Sequence, residues 1–180
     1  GEGVSCDKAE ALRLYRSAAK KGQASAMNNI ADMYREGDGI RQSWAKAIKW
    51  YRKAAAAGND AGPYWLARIY GGEEDFPEQL EEAIHWLKLA VKSGDAQSQC
   101  KLGVNYFNGH GVRKNRRLAA QLYRRSAEQN EHWAQYLLGL CYRDGEGVKR
   151  NKRWALYWFD KAALSTPEAQ KAAKKLRKYQ

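Results

Sequence analysis

The chain has 180 residues, of which 44% are hydrophobic, so it can bury a core and falls outside the disordered class. A run of 18 apolar residues and a short apolar leader are both missing, which excludes a membrane-spanning helix and leaves no visible signal peptide. Three scattered cysteines exclude a disulfide framework, and the net charge of +12 favours an acidic protein, a membrane surface or nucleic acid as a partner.

A period of 36 residues organises the sequence. We call a set of residues spaced by this period a column, because its members occupy the same place in successive repeats. The clearest columns are Gly22, Gly58, Gly94 and Asn130; Tyr34, Tyr70, Tyr106 and Tyr142; and Ala47, Ala83, Ala119 and Ala155. The pattern predicts an all-α fold, an α/α superhelical solenoid of 36-residue helical-hairpin repeats.

In chain order, the array is predicted to form a single domain over residues 1–180. Residues 1–22 are predicted to be a half repeat that supplies only a second helix, either as a natural cap or as part of a longer array. Full repeats follow at 23–58, 59–94, 95–130 and 131–166, and residues 167–180 are predicted to form a C-terminal capping helix.

Each full repeat is predicted to contain two helices joined by a glycine turn. In residues 23–58, Gly37 and Gly39 permit the positive φ angles that end the first helix. Ser43 is a good N-cap for the second helix, and Gly58 suits its C-terminal end. The small column Ala31, Ala67, Gly103 and Gly139 would let the two helices approach closely.

The repeat at 59–94 departs from this pattern between residues 71 and 82. The glycine turn is missing there, and six acidic residues take its place. We expect a solvated loop that leads into a helix N-terminus, where acidic side chains suit the helix dipole. An acidic docking knob is the alternative.

Basic residues cluster at the start of the second helices in the last two full repeats. They are Arg113, Lys114, Arg116, Arg117, Lys149, Arg150, Lys152 and Arg153, which we call the basic ridge. Its plainest interpretation is a solvated face, and the alternative is a contact for an acidic partner, a membrane surface or nucleic acid. Trp154 is the one aromatic residue within the ridge, which disfavours nucleic acid because its readers interleave basic and aromatic residues.

The sequence offers no catalytic or metal-binding constellation. His85, His110 and His132 fall in three different columns, and no ligand spacing or phosphate-binding loop is present. We therefore expect no enzyme activity, no cofactor and no metal. Cys100 and Cys141 occupy different columns and Cys6 is distant, so we predict three unpaired cysteines.

Two segments of each repeat carry a family resemblance. The first is represented by Leu102-Gly103, Tyr106, Gly109, Gly111 and Val112, and the second by Lys46-Ala47, Trp50-Tyr51, Lys53-Ala54-Ala55 and Gly58. Together they resemble the Sel1-like repeat family, a relative of the tetratricopeptide repeat. The resemblance implies a superhelical solenoid that serves as a scaffold for protein partners. Members are common in bacteria and often exported, and some are adaptors or immunity proteins for secreted toxins. A cysteine-rich subgroup has a disulfide in each repeat, and this sequence lacks that regular pattern.

The same resemblance places the first helices on the concave side of the solenoid. Candidate partner-binding residues on that face are Arg35, Tyr64, Arg68, Val104, Phe107, Trp133, Tyr136, Leu140 and Arg143, and Asn28, Asp32 and Cys100 belong to the same predicted stripe. Exposed apolar clusters and aromatic or arginine side chains are typical of partner sites. Burial of the stripe between neighbouring repeats is the alternative.

The sequence thus predicts a protein-binding scaffold or adaptor that uses its concave face. An immunity protein that neutralises a secreted bacterial toxin is the first alternative, and a nucleic-acid-binding helical repeat protein is the second. We expect a monomer whose partner is another protein, with an acidic surface as one option. Export to the periplasm and a cytoplasmic location both remain open.

Overall fold

The computed structural model describes residues 7–72 and 79–178, and within these ranges all the regular secondary structure is helical. The helices are α1 (Lys8–Lys20), α2 (Ala24–Glu36), α3 (Trp44–Ala56), α4 (Ala61–Tyr70), α5 (Leu80–Lys92), α6 (Ala96–Asn108), α7 (Arg116–Glu128), α8 (His132–Asp144), α9 (Lys152–Ala162) and α10 (Pro167–Lys178). The predicted all-α fold of helical-hairpin repeats is confirmed. Within the described ranges, none of these helices has the length and apolar character needed to cross a bilayer.

The chain divides into two compact units, residues 1–86 and 87–180, with the division inside α5. We call them the N-terminal and C-terminal units. In the N-terminal unit, α1 packs on α2, α2 on α3, and α3 on α4. Ile30, Tyr51, Leu66 and Ile69 are fully buried at its centre, and Ala83 of α5 joins the same core.

The C-terminal unit repeats this succession from α6 to α10, each helix packing on the next. Its core includes the buried rings of Tyr123 and Phe159. A Cβ atom on Gly103 would lie 2.7 Å from the Tyr123 ring, and one on Gly139 would lie 2.5 Å from the Phe159 ring. The small column therefore lets an aromatic ring press against the backbone of the first helix, as expected from the sequence.

The helix ends follow the sequence pattern. Asp7, Ser43, Asn115 and Asn151 cap their helices by accepting backbone N–H hydrogen bonds. Gly22, Gly58 and Gly94 have φ angles between 84° and 88°, and Asn130 takes the same left-handed conformation with φ 65°. Asparagine tolerates that region better than other non-glycine residues, which explains its place in a glycine column.

Contacts between successive repeats recur with the period. Lys8 Nζ lies 2.7 Å from Asp38 Oδ2, and three periods later Arg116 Nη1 lies 2.5 Å from Glu146 Oε2. The tyrosine column accepts hydrogen bonds in the pairs Arg16–Tyr34, Arg52–Tyr70 and Arg124–Tyr142. The tyrosines therefore join neighbouring repeats through their hydroxyl groups as well as through packing.

Residues 73–78, which contain most of the acidic stretch, lie outside the described residues. Glu81 and Glu82 occupy the first turn of α5, in agreement with the predicted acidic helix N-terminus. Glu82 Oε2 also lies 3.6 Å from Arg52 Nη2.

Candidate functional site

In the N-terminal unit, the predicted residues of α2 and α4 gather around Trp65, a tryptophan outside the predicted stripe. The guanidinium carbon of Arg35 lies 4.1 Å from the centroid of the Trp65 ring, and that of Arg68 lies 4.9 Å from it. Tyr64 meets Trp65 edge to face, with centroids 5.4 Å apart. The structure thus brings Arg35, Tyr64 and Arg68 together as a cation–π cluster.

The charge of Arg35 is balanced inside this cluster. Its Nε donates to the Tyr51 hydroxyl at 3.1 Å, and its guanidinium forms ion pairs with Asp32 and Glu36. Tyr51 donates in turn to Asp32 Oδ1 at 2.5 Å. Burial raises the pKa of Asp32, while the hydrogen bond from Tyr51 and the charge of Arg35 oppose that rise. With only 14% of its side chain exposed, Arg35 supports Trp65 more than it offers a free charge.

In the C-terminal unit, the first helices α6 and α8 present an apolar face. Trp133 is 45% exposed, and its ring lies 5.2 Å from that of Tyr136. One helical turn after Trp133, Leu137 lines an opening of about 120 Å³, together with Phe107, Tyr123, Leu140, Cys141, Asp144 and Glu146. The opening has room for an aliphatic side chain, and two carboxylates complete its lining.

The same opening occurs three periods earlier, in the N-terminal unit, with a different lining. Its volume is about 200 Å³, and Asn29 and Asp32 stand in the columns of Leu137 and Leu140. Glu36 and Asp38 keep the two acidic positions. The repeat architecture therefore builds the opening, and the residues in these columns decide whether it is polar or apolar.

Arg143 lies on the same face of the C-terminal unit but is already paired. Its Nε and Nη2 donate to the two carboxylate oxygens of Asp144 at 2.7 and 2.6 Å. This bidentate contact lowers the pKa of Asp144. A carboxylate on a partner would have to compete with Asp144 for the guanidinium group.

Several members of the predicted stripe are less exposed than expected. Asn28 and Cys100 are buried, so their assignment to the solvent side is wrong. Val104, Phe107, Tyr136 and Leu140 are half-buried and pack against the core of the C-terminal unit. The reason is geometric: the flank of each first helix also contacts its neighbours, so only part of the stripe reaches solvent.

The basic ridge is largely exposed, as predicted. Arg113, Lys114, Arg117, Lys149, Arg150 and Arg153 have exposed side chains. Lys152 is half-buried, and Arg116 is committed to Glu146 and lies over the Phe107 ring, 5.5 Å from its centroid. Arg116 is therefore a structural contact between repeats as well as a member of the ridge.

An aromatic neighbour of the ridge was missed in the sequence. Tyr157 is exposed on α9, and its ring centroid lies 5.3 Å from that of Trp154. The sequence does indicate this pair, because residues three apart on a predicted helix lie on the same side of it.

Cys100 and Cys141 are free thiols, as predicted, and Cys6 lies outside the described residues. Burial raises the pKa of Cys141 to about 12, so its thiol stays protonated at neutral pH. Within residues 7–72 and 79–178, no group of three His, Cys, Asp or Glu side chains is placed to hold a metal ion.

Three solved structures from bacteria resemble the chain. A protective antigen of uropathogenic Escherichia coli strains with an SLR fold is 33% identical, with a TM-score of 0.89 over 96% of this chain and 37% of that one. A Sel1 repeat protein from Oxalobacter formigenes is 30% identical, with a TM-score of 0.75 over 90% of this chain and 65% of that one. Helicobacter pylori cysteine rich protein B is 27% identical, with a TM-score of 0.56 over 71% of this chain and 92% of that one.

The chain thus spans 37% and 65% of the first two of these proteins. No curated protein matches it. The Sel1 repeat itself matches residues 1–23, 24–59, 64–95, 96–131 and 134–166, which together cover most of the sequence. The chain belongs to the Sel1 repeat family.

Proposed function

We propose that this Sel1 repeat protein is a non-catalytic binding protein that holds a partner protein on its first helices. In the C-terminal unit the contact residues are Val104, Phe107, Trp133, Tyr136, Leu140 and Arg143. In the N-terminal unit they are Tyr64 and Arg68, and Arg35 supports them through its contact with Trp65. The observation that carries the proposal is the apolar opening between α6 and α8.

The comparison of the two openings supports a role beyond packing. Asn29 and Asp32 occupy in one unit the columns that Leu137 and Leu140 occupy in the other. Because the fold accommodates polar residues there, Leu137 and Leu140 are not required to form the repeat. An apolar opening one helical turn along α8 from a half-exposed tryptophan suits an aliphatic side chain of a partner.

Trp133 gives the sharpest test, because the chain contains a matched control. Trp154 is exposed to a similar extent, 48% against 45%, but lies on a second helix. Trp133→Ala, Phe107→Ala and Tyr136→Ala should weaken partner binding by about 1–4 kcal/mol at two or more positions. The Trp154→Ala variant should bind the partner as tightly as the parent does.

The measurement is quantitative affinity capture from cells of the source organism, followed by titration of the purified partner against each variant. Full binding by all three first-helix variants would contradict the proposal. So would a general loss of stability, measured by thermal unfolding, that accounts for the loss of binding. The identity of the captured protein would then distinguish a scaffold from an immunity protein that blocks a toxin.

A further inference from the structure

The second helix α9 exposes an apolar stripe that the first-helix proposal does not use. Trp154 is 48% exposed, Tyr157 44% and Leu164 92%. They are spaced by three and seven residues, which places them on one side of a helix. Leu164 lies two residues beyond Ala162, the last residue of α9, but the intervening Ala163 keeps helical angles (φ −62°, ψ −23°), so the helical spacing extends to Leu164.

The columns of these three residues are mostly polar in the other repeats. Trp154 shares its column with Glu10, Lys46, Glu82 and Leu118; Tyr157 with Arg13, Lys49, His85 and Gln121; and Leu164 with Lys20, Ala56, Lys92 and Glu128. Charged residues in these columns are compatible with the repeat. Trp154, Tyr157 and Leu164 are therefore not demanded by packing, and their presence together indicates a contact surface.

Positive charge surrounds the stripe. Arg153 is exposed beside Trp154, and Lys161 Nζ lies 5.4 Å from the Tyr157 ring centroid. The adjacent carboxylate, Asp160, is neutralised by Arg177 at 2.7 Å. Residues 87–180 contain 20 Lys and Arg against 7 Asp and Glu, a net charge of +13, whereas residues 1–86 contain 12 against 13, a net charge of −1. The surface thus calls for an anionic partner, and a second copy is disfavoured by like-charge repulsion.

We propose that this α9 surface docks on an anionic lipid membrane. Tryptophan and tyrosine suit the headgroup layer, basic side chains suit anionic headgroups, and an aliphatic side chain as exposed as Leu164 suits the boundary with the acyl chains. Trp154 already stacks on Tyr142 at 6.1 Å and meets Tyr157 edge to face, which reduces the ring surface open to a nucleobase. The attachment is peripheral and does not depend on the first-helix face.

The test is co-sedimentation of the full chain with vesicles of phosphatidylglycerol and phosphatidylcholine in about equal parts, compared with pure phosphatidylcholine. We expect binding to the anionic vesicles alone, weakened by added salt. The triple variant Trp154→Ser, Tyr157→Ser, Leu164→Ser should lose at least about tenfold in affinity, because three apolar side chains no longer enter the bilayer surface. Leu14→Ser, which removes another exposed leucine in the N-terminal unit, is the matched control and should bind like the parent.

Circular dichroism and thermal unfolding check that the variants fold. If the triple variant does not fold, Leu164→Ser alone should still weaken binding by several-fold, because a side chain this exposed contributes little to packing. Absence of binding to anionic vesicles at low salt, or equal binding by parent and variants, would overturn the proposal. It would also be overturned if an oligothymidylate of about 20 nucleotides bound more tightly than the vesicles in a manner lost in Trp154→Ser but not in Leu164→Ser.

Discussion

At the scale of single residues, two kinds of glycine do different work in the repeats. Gly94 has φ 88°, and a Cβ atom there would meet no atom within 4 Å. Gly147 has φ 73°, and its Cβ would lie 2.0 Å from the carbonyl oxygen of Arg116 in the preceding repeat. A Cβ atom on Gly39, in the equivalent position, would lie 2.2 Å from the Cβ atom of Lys8. The first kind ends a helix, whereas the second lets two successive repeats approach closely at the turn.

Alanine substitutions at Gly94 and Gly147 should separate the cost of the left-handed backbone from the cost of the close approach between repeats. Gly94→Ala should cost about 1–2 kcal/mol in free energy of unfolding, because its penalty is the left-handed backbone alone. Gly147→Ala should cost about 1–3 kcal/mol more, because the backbone of the preceding repeat must move. Urea unfolding of the two variants and the parent measures the difference, and equal costs would contradict the close approach.

The glycine column could be read from the sequence, and so could the replacement of glycine by Asn130, because both follow from the period. The contact of Gly147 with Arg116 could not, because it joins residues that are distant along the chain. For the same reason Arg116 was assigned to a free basic ridge, although Glu146 of the next repeat holds it. Side-chain charge is visible in a sequence, but its partner depends on distances between repeats.

At the scale of helices, α10 completes the packing of α9. Ala169 and Ala173 of α10 are buried, and Ala173 lies in the same core cluster as Trp158 and Phe159. Three lysines of α10, Lys174, Lys175 and Lys178, are exposed. The residues in the same columns of the first full repeat, Ile30, Ala31 and Tyr34, are buried. We propose that α10 is a capping helix, with one face packed on the array and the other solvated.

Deletion of residues 167–180 should therefore expose Trp158 and destabilise the C-terminal unit. Loss of burial for one large apolar side chain costs about 1.5–3 kcal/mol, so we expect a lower melting temperature or aggregation. Lys174→Gln with Lys175→Gln is the control, because it alters α10 while leaving its buried face intact. A deleted form that remains monomeric by size-exclusion chromatography and melts like the parent would refute the cap.

Hydrophobic periodicity predicted the helix pairs and the packing face of each helix, because residues such as Leu66 and Ala67 recur on one side. It did not predict how far the flanks of a first helix are covered. Phe107 and Tyr136 were expected to face solvent, yet each also packs against residues of its neighbouring second helix, Tyr123 and Phe159 respectively. A helical wheel gives the direction in which a side chain leaves its own helix but does not show which neighbouring helices that side chain contacts.

At the scale of the whole molecule, the positive charge is concentrated in the C-terminal unit. Two sets of charge reversals can show whether binding depends on where this charge lies or on the net charge alone. Reversing Arg113, Arg117, Lys149 and Arg153 to Glu lowers the net charge from +12 to +4, since each reversal removes two charges. Folding should be nearly unaffected because these side chains are exposed. Binding to the anionic vesicles should fall at least about tenfold and lose most of its salt dependence.

The control reverses four exposed basic residues of the N-terminal unit, Lys21, Arg41, Lys46 and Lys49, and reaches the same net charge. If both quadruple variants weaken vesicle binding equally, the effect belongs to net charge and not to the ridge. If the first variant binds as the parent does, the ridge serves only as a solvated face.

The recurring joint between repeats bears on how such genes can change. A 36-residue period brings both halves of that joint with it when it carries an acidic residue in the column of Asp38 and Glu146 and a basic residue in the column of Lys8 and Arg116, as residues 131–166 do with Glu146 and Lys152. Unequal recombination that copies such a period would therefore create a junction at which the ion pair can form again. Columns that take no part in this ion pair are free of that constraint. A duplicated copy can therefore exchange a polar residue such as Asn29 for an apolar one such as Leu137 and acquire a new binding preference, while its ion pair with the neighbouring repeat is kept.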